Sequence, residues 1–288
     1  MGSAIVFQWL IPEMEASVKL SIVLSTQQTH FQAATFSGDL DGDLKKISML
    51  GYNGVELAIR EPNLVDIDSL DQMVARHQLQ VPAIGTGQAW GEEGLSFTDP
   101  DASIRSKAIQ RIKSHIPLAE HFHAVIIIGL IRGIVKTNVS QTQAMDWLIE
   151  AIADCSQAAR SYGVRLALEP INRYETTLIN SAAQGMELIQ RVGADNFGLL
   201  LDTFHMNLEE ANIEESISHC NKHVFHFHVA DSNRWYPGAG HLNFASMLNS
   251  LSDSGYQGYV SGEFFPKPDF DTAARENILY LRGLDLKD

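Results

Sequence analysis

The sequence predicts an α/β fold in one domain, a closed (β/α)8 barrel of the TIM-barrel type. Eight short aliphatic runs alternate with longer segments of helical hydrophobic period. Strict alternation favours an all-parallel sheet, and eight is the number of strands that closes into this barrel. The length of 288 residues also suits a single barrel domain. A doubly wound open sheet is the alternative fold.

The predicted strands follow one another from Val18 to the end of the chain. They are the runs 18–25, 54–59, 81–86, 123–129, 164–171, 196–202, 224–230 and 258–264. Amphipathic segments between them, such as 103–120, 140–161 and 180–192, predict helices. Gly51, Gly163 and Gly255 stand where helices should end before a strand. Residues 18–288 are therefore predicted to form the barrel domain.

Residues 1–17 are predicted to be an N-terminal extension that precedes the first strand. The apolar run 4–11 (AIVFQWLI) lacks the basic flank and cleavage site of a signal peptide. No apolar run reaches the roughly 18 residues of a membrane span. Cys155 and Cys220 are far apart and without CxxC spacing, which indicates free thiols in a reducing compartment. We therefore expect a cytoplasmic protein.

The charge balance argues against a nucleic-acid or membrane partner. The chain has 35 acidic and 21 basic residues, which gives a formal net charge of −14. Such a surface repels phosphate backbones and anionic lipid. Solubility is the simplest interpretation of the excess charge.

Polar residues end the inward face of each of the last four predicted strands. Side chains alternate between the two faces of a strand, so the inward face ends at Glu169, Asp202, His228 and Glu263 in successive strands. On the seventh strand, the same alternation places Val224 and His226 inward and Phe225 outward. The carboxyl ends of the strands are where barrel enzymes build their active sites.

Three carboxylates at one place repel each other, and burying them unpaired would cost several kcal/mol each. One divalent cation resolves this repulsion. A donor set of three oxygens and one nitrogen suits Mn²⁺, Mg²⁺ or Co²⁺ better than a thiolate-loving ion. The sequence therefore predicts a metal site made by Glu169, Asp202, His228 and Glu263. The alternative is four unrelated polar residues, each hydrogen-bonded locally.

Candidate substrate contacts lie in the loops just beyond these strands. Glu175, His205 and Arg234 follow the fifth, sixth and seventh strands and could hydrogen-bond substrate hydroxyls. The alternative is that each is tied to backbone or solvent.

Three further residues lie near the predicted site. Glu56 is predicted to be either a buried structural carboxylate or a substrate contact. His226 is predicted to be a hydrogen-bonded core histidine rather than a ligand. The glycines of GTGQAWG (85–91) do not have GxGxxG spacing, so we expect a pocket loop with Trp90 as a sugar-stacking wall.

Four segments around these residues resemble the D-tagatose 3-epimerase group of the xylose-isomerase-like barrels. They are ALEPINRYETTLINS, LLLDTFHMNLEE, FHFHVADSNRWYPGAGHLNF and YQGYVSGEFFP. The resemblance covers roughly residues 18–285, and its specific part is 164–268. The intervals of 33, 26 and 35 residues between the four candidate ligands also agree with that group.

The resemblance implies a metal-dependent ketose 3-epimerase. It implies that Glu169 and Glu263 ligate one cation, Mn²⁺ ahead of Mg²⁺ or Co²⁺, and also act as the acid/base pair. They would face opposite sides of C3 of an unphosphorylated ketose and invert it through a cis-enediolate. It further implies that Glu175, His205 and Arg234 hold the O1–O3 end of the sugar, and that the chain forms a homodimer or homotetramer.

Several alternatives stay open at this point. A second resemblance is to relatives that epimerise 3-keto-glycosides at C4, and it rests on the segments NRYE, HMN and ADSNRWYPGAGHLNF. Aldose–ketose isomerases and hydroxypyruvate isomerases are further alternatives, because they would use equivalent chemistry. A nuclease like endonuclease IV is disfavoured, because the third and fourth strands end in TG and IG without the extra histidines and the charge opposes DNA. A sugar-binding barrel without catalysis is the remaining alternative.

Overall fold

Eight parallel strands close on themselves in chain order, with the eighth hydrogen-bonded to the first. The computed structural model describes residues 18–33 and 38–286, so the predicted extension 1–17 lies outside the described residues. Each strand lies within its predicted range, which confirms the closed barrel over the open sheet. The strands are β1 (Lys19–Ser25), β2 (Glu56–Ala58), β3 (Ala83–Gly85), β4 (Val125–Ile128), β5 (Leu166–Leu168), β6 (Phe197–Asp202), β7 (Val224–Val229) and β8 (Tyr259–Gly262).

Helices connect the strands around the outside of the barrel. They are α1 (Leu40–Leu50), α2 (Ile67–Arg76), α3 (Gln88–Glu93), α4 (Ala102–Ser114), α5 (Ile116–Phe122), α6 (Gln141–Arg160), α7 (Ala182–Val192), α8 (Thr203–Glu209), α9 (Ile213–Cys220), α10 (Phe244–Asp253) and α11 (Phe270–Arg282). Short 3-10 turns occupy Pro62–Leu64, Leu130–Arg132 and Asn221–His223. Within the described ranges, no helix has both the length and the apolar character needed to cross a membrane.

The amphipathic segment 103–120 is two helices rather than one. α4 ends at its C-cap His115, and α5 begins with Pro117 in its first turn. Proline has no amide hydrogen to continue the ladder of the preceding helix. The His115 ring lies 2.9 Å from the carbonyl oxygen of Ile59, which anchors the break to the end of β2.

Two apolar layers hold the barrel together. The larger one lies between the strands and the ring of helices. A smaller cluster fills the lumen with one to two residues from each of four strands, namely Ala83, Val125, Ile127, Ala167 and Leu200. The lumen is therefore a packed floor rather than a channel, and the polar side chains lie above it, towards the carboxyl ends of the strands.

The strict alternation predicted for β7 is wrong at its first two residues. Leu199 pairs with Val224 but Leu200 pairs with His226, so Phe225 is an extra residue on β7. Val224 consequently packs in the outer core, whereas Phe225 packs against the lumen cluster. Beyond this bulge the register is regular, and His226 keeps its predicted inward direction.

Gly198 on β6 explains why the bulge forms where it does. A side-chain carbon at this glycine would lie 2.8 Å from the Phe225 ring and 2.6 Å from the carbonyl oxygen of His223. The absence of a side chain leaves room for the ring inside the barrel, where the Arg165 guanidinium also stacks 4.8 Å from its centre. The irregularity is thus confined to the floor, below the candidate site.

Candidate active site

Four neighbouring strands deliver one acidic or imidazole side chain each to a single point. Asp202 is the last residue of β6, His228 lies near the end of β7, and Glu169 and Glu263 come directly after β5 and β8. The strand register pairs Asp202 with His228, so the two lie at one level. One ligand atom from each of the four residues lies within 4.8 Å of all the others. The structure therefore brings together the four residues that the sequence predicted.

The site is buried and electrostatically strained without a cation. Asp202 and His228 are each 1% exposed and Glu169 is 6% exposed. Burial raises the pKa of Glu169 well above its ordinary value, and the nearby Glu263 raises it further. Burial likewise raises the pKa of Asp202 to about 6, against the opposing effect of His228. The charged form of these buried carboxyl groups is thus favoured at neutral pH only when a positive charge lies next to them.

Two buried atoms at this point, His228 Nδ1 and Glu169 Oε1, have no hydrogen-bond partner among the described residues. His228 Nδ1 lies 3.8 Å from Asp202 Oδ2 and 3.7 Å from Glu263 Oε2, too far for hydrogen bonds. Octahedral ligands about 2.1 Å from a cation lie about 3 to 4.2 Å from each other. The spacing and the donor atoms therefore fit a hard divalent cation such as Mn²⁺ or Mg²⁺.

Glu56 lies on the other side of the His228 ring, where β2 faces β7 across the lumen. Its Oε2 is 2.9 Å from His228 Nε2 and 2.7 Å from His226 Nε2. Burial would raise the pKa of Glu56, but the two imidazoles outweigh it and hold the pKa well below its usual range. Glu56 fits the interpretation as a buried carboxylate, and the prediction of His226 as a hydrogen-bonded core histidine is confirmed.

A cavity of about 240 Å³ opens above the four residues at the carboxyl ends of the strands. The three predicted substrate contacts, Glu175, His205 and Arg234, all line it, as do Glu169 and Glu263. Trp90 also lines the cavity as predicted, but it lies on helix α3 (Gln88–Glu93) rather than in a loop. Its stacking on a sugar stays a prediction. The cavity thus combines an apolar wall with a few convergent polar groups, as small-molecule sites do.

His205 is held as a neutral hydrogen-bond donor. The side-chain amide of Asn172 donates to His205 Nδ1 at 2.8 Å and to Glu175 Oε1 at 2.9 Å. The proton of the ring must then be on Nε2, which lies 3.5 Å from Glu169 Oε1. Burial, and secondarily the charge of Arg234, keep the pKa of His205 well below its ordinary value.

Arg234 supplies a fixed positive charge next to Glu263. It donates to Glu175 Oε1 at 3.0 Å, and its other terminal nitrogen is 4.0 Å from Glu263 Oε2. The guanidinium stacks between the rings of Phe204 and Phe265, at 4.9 and 5.5 Å from their centres. Its backbone has a φ of 62°, in the left-handed region, and its side chain lines the cavity.

Sequence reasoning missed residues that orient the site without facing it. Asn172 is one, although its position three residues before Glu175 was a usable signal. Arg132 is another: it is fully buried and donates to the carbonyl oxygens of Gly129, Ile179 and Glu169. An arginine in a loop is usually solvated, so nothing in the sequence indicated this role.

Comparisons with known proteins agree with this geometry. Residues 44–284 match the model of the xylose isomerase-like TIM barrel family. The chain is 29% identical over 256 residues to an L-ribulose 3-epimerase of Mesorhizobium japonicum, covering 88% of this chain and 85% of that protein. It is 36% identical over 231 residues to a D-psicose 3-epimerase of Agrobacterium fabrum, covering 78% of each.

A solved structure extends the likeness to the fold. The apo 3-keto-D-glucoside 4-epimerase of E. coli superposes with a TM-score of 0.78 over 92% of this chain and 99% of that chain. Its sequence identity is 22%, so this likeness concerns the barrel rather than the chemistry.

Proposed function

We propose that this chain, which belongs to the xylose isomerase-like TIM barrel family, is a divalent-metal-dependent ketose 3-epimerase. It is an enzyme of the isomerase class, as the curated relatives named ketose, psicose and ribulose 3-epimerases are. One observation carries the finer proposal. Glu169 and Glu263 approach the cavity from β5 and β8, the two outer strands of the four that form the site, and so from opposite sides.

The proposed metal ligands are Glu169, Asp202, His228 and Glu263, and Mn²⁺ is the proposed cation. Bound there, a divalent cation would polarise the oxygens at C2 and C3 of a ketose and so make the C3 proton more acidic. The orphaned His228 Nδ1 and Glu169 Oε1 support this proposal, because buried polar atoms ordinarily have partners.

The two glutamates act as the acid/base pair in this proposal. One removes the C3 proton to give an enediolate, and the other returns a proton to the opposite face, which inverts C3. Their roles exchange with the direction of reaction. The neutral His205 can donate to a sugar oxygen. Arg234 offers a positive charge held beside Glu175, and these residues would hold the O1–O3 end of the substrate.

The cellular setting belongs to the same proposal. We expect a cytoplasmic enzyme that acts on a free sugar as a homodimer or homotetramer. The two buried free cysteines are consistent with a reducing compartment. Light scattering coupled to size-exclusion chromatography measures the assembly, and a monomer at micromolar concentration would contradict the oligomer.

A direct exchange experiment tests the function. Metal-free protein is loaded with Mn²⁺ and incubated in D₂O with D-fructose, D-tagatose, D-psicose or L-ribulose, and proton NMR follows deuterium at C3. We expect metal-dependent exchange at C3 together with the C3 epimer. Exchange at C1 or C2 with aldose formation would indicate an aldose–ketose isomerase instead.

Keto-glycosides are the second candidate substrates, because the NRYE and ADSNRWYPGAGHLNF segments also resemble 4-epimerases of 3-keto-glycosides. The same NMR experiment with a 3-keto-glucoside distinguishes them. Exchange at C4 of that substrate, without exchange at C3 of any free ketose, would replace the proposed substrate class and keep the two-base chemistry.

The paired bases give a sharper prediction. Glu169→Gln and Glu263→Gln should each lower epimerisation at least about 10³-fold, because a positioned base contributes about 10²- to 10⁴-fold and each residue is also a proposed ligand. Asp99→Asn is the matched control, since Asp99 is a buried carboxylate bound to Lys136 away from the cavity lining. Near-full activity in both glutamine variants would exclude the two-base mechanism.

A further inference from the structure

We propose that Glu56 is a positioning residue that selects the tautomer of His228 for metal binding. Glu56 accepts the Nε2 hydrogen of His228, and Nδ1 is thereby directed at Asp202 and Glu263 as the nitrogen that binds the cation. This inference rests on the proposed metal centre and deepens it, because it explains which imidazole nitrogen binds and what fixes the ring.

The hydrogen-bond geometry carries the first step. Glu56 is 1% exposed, and its Oε2 lies 2.9 Å from His228 Nε2. A carboxylate has only lone pairs to offer, so a nitrogen at this distance must carry a proton. The ring therefore keeps its proton on Nε2, and Nδ1 is the nitrogen that gives up its proton when a cation binds.

The position of His228 Nδ1 indicates which ring nitrogen faces the metal site. Within the part of the chain that the structure describes, His228 Nδ1 is buried without a hydrogen-bond partner, 3.8 Å from Asp202 Oδ2 and 3.7 Å from Glu263 Oε2. Nδ1 thus faces the point where the four ligand atoms converge, and it is the ring nitrogen that a cation placed there would bind. The ring is thus oriented as in a carboxylate–histidine–metal triad, in which the carboxylate raises ligand basicity and fixes the ring.

His226 holds Glu56 in place through a second hydrogen bond. Its Nε2 lies 2.7 Å from the same Oε2 atom, and the two histidine rings meet edge to face at 5.2 Å. Glu56 is on β2 and the histidines are on β7, so the carboxylate bridges strands on different sides of the lumen. This bridge holds Glu56 in one position, and through it the His228 ring.

The three residues Glu56, His226 and His228 are themselves not spaced as a second metal site. Two ligand atoms about 2.1 Å from a tetrahedral cation lie about 3.4 Å from each other. The oxygen–nitrogen distances of 2.7 and 2.9 Å are hydrogen-bond distances and leave no room for an ion between them.

Mn²⁺ affinity of the metal-free protein, measured by titration calorimetry, tests the role of Glu56. Glu56→Gln keeps an acceptor without its charge, and we expect about tenfold weaker binding. Glu56→Met leaves both Nε2 protons unpaired, and we expect about 100-fold weaker binding, the range seen when such supporting groups are removed. Asp99→Asn is the control and should bind as the unchanged protein does.

Long-range proton–nitrogen correlation spectra of histidine-labelled, Mg²⁺-loaded protein give an independent measurement. The His228 signals are assigned by their loss in His228→Gln. We expect a protonated Nε2 and an unprotonated Nδ1, and the opposite tautomer would overturn the inference. This measurement needs no Glu56 variant, so it holds even if Glu56→Met fails to fold.

The outcomes separate this inference from the proposed function. An unchanged protein that binds no Mn²⁺ would refute the metal centre itself. Tight binding by that protein, with equal affinity in folded Glu56→Gln and Glu56→Met, would leave the metal centre standing and refute the role of Glu56.

Discussion

At the scale of single residues, Asn172 decides what His205 can offer a substrate. Its amide donates to His205 Nδ1 and to Glu175 Oε1, which leaves the Nε2 proton of His205 free to bind an oxygen. Asn172→Asp would replace the donor by a carboxylate, move the proton of His205 to Nδ1 and repel Glu175. We expect a fall of about 10²-fold in kcat/KM, with Mn²⁺ affinity nearly unchanged.

A surface pair is the control for this prediction. The amide of Asn63 donates to Glu61 Oε1 at 2.8 Å in the same manner, but outside the cavity lining. Asn63→Asp should therefore leave kcat/KM unchanged. Equal activity of both variants would show that the tautomer of His205 does not matter for turnover.

The two cysteines provide a test of burial that is independent of catalysis. Burial raises the pKa of Cys155 to about 12, and that of Cys220 also to about 12, because the thiolate is poorly solvated there. Neither thiol should react with an aromatic disulfide reagent at pH 8 in the folded protein, and both should react in guanidinium chloride. Rapid reaction of either thiol in the folded state would contradict its burial.

The four central residues could be predicted from the sequence because strand alternation is a local rule. Glu169, Asp202, His228 and Glu263 each end an inward face, and a closed barrel makes such ends converge. The role of Glu56 was not predictable in the same way. It depends on which side chains meet across the lumen, and that depends on the register of strands distant in the chain.

At the scale of elements, the segment 129–133 after β4 supports the loop that follows β5. Arg132 donates to the carbonyl oxygens of Ile179 and Glu169, and Thr176 Oγ1 donates to the carbonyl oxygen of Gly133 at 3.0 Å. Ile179 has a φ of 56°, which is unfavourable for a β-branched residue. These bonds hold the loop that carries Glu175.

Gly133 gives the test of this element. Its φ of 89° and ψ of −167° are accessible almost only to glycine, and a side-chain carbon there would collide with the hydroxyls of Ser96 and Thr98. We expect Gly133→Ala to lower the free energy of unfolding by about 3 kcal/mol or more, measured by urea denaturation.

Gly193 is the matched control, since its φ is 67° but no atom of residues 18–33 or 38–286 lies within 4 Å of an added carbon. Gly193→Ala should cost only about 1 kcal/mol. Equal costs for the two variants would mean that the contact with Ser96 and Thr98 relaxes freely and that this segment is not rigid.

Element types were more predictable than their details. All eight strands lie within the predicted runs, because a short aliphatic stretch between two amphipathic helical segments is typical of a buried strand. The bulge at Phe225 escaped prediction because it depends on the space beside Gly198 on another strand. The break between α4 and α5 had a signal, Pro117, which the helical period of the segment 103–120 concealed.

At the scale of the whole molecule, a barrel with net charge −14 buries carboxylates at its centre. This arrangement opposes folding unless a cation joins it. A cation that binds only the folded state raises the free energy of unfolding by about 2.7 kcal/mol when its concentration is 100 times the dissociation constant. For a protein of this size that corresponds to a rise in Tm on the order of 5 °C. We expect this rise on adding Mn²⁺ to metal-free protein at pH 7.5.

The sign of the pH dependence follows from Asp202. Its pKa in the folded, metal-free protein is raised from 3.8 to about 6, so between pH 4 and 6 the folded state binds more protons than the unfolded state. The contribution of Asp202 to stability then falls as the pH rises through this window, and the raised pKa of Glu169 acts in the same direction. The buried histidines His115, His205 and His226 have lowered pKa values and act in the opposite direction, so the effect of Asp202 is measured as a difference between variants. Metal binding requires the deprotonated carboxylates, so the gain in Tm from Mn²⁺ should be small at pH 5 and complete at pH 7.5.

Asp202→Asn isolates this contribution, because asparagine can still accept the amide hydrogen of Phe204 at the start of α8. Between pH 5 and 7.5, the Tm of the metal-free variant should fall less than the Tm of the metal-free unchanged protein. The rise in Tm on adding Mn²⁺ should also be much smaller in the variant than in the unchanged protein. Scanning calorimetry at the two pH values, with and without Mn²⁺, measures both effects. An unchanged protein whose metal-free Tm falls no more than that of Asp202→Asn would show that Asp202 is solvated and charged without a metal, and that the centre of the barrel is not strained.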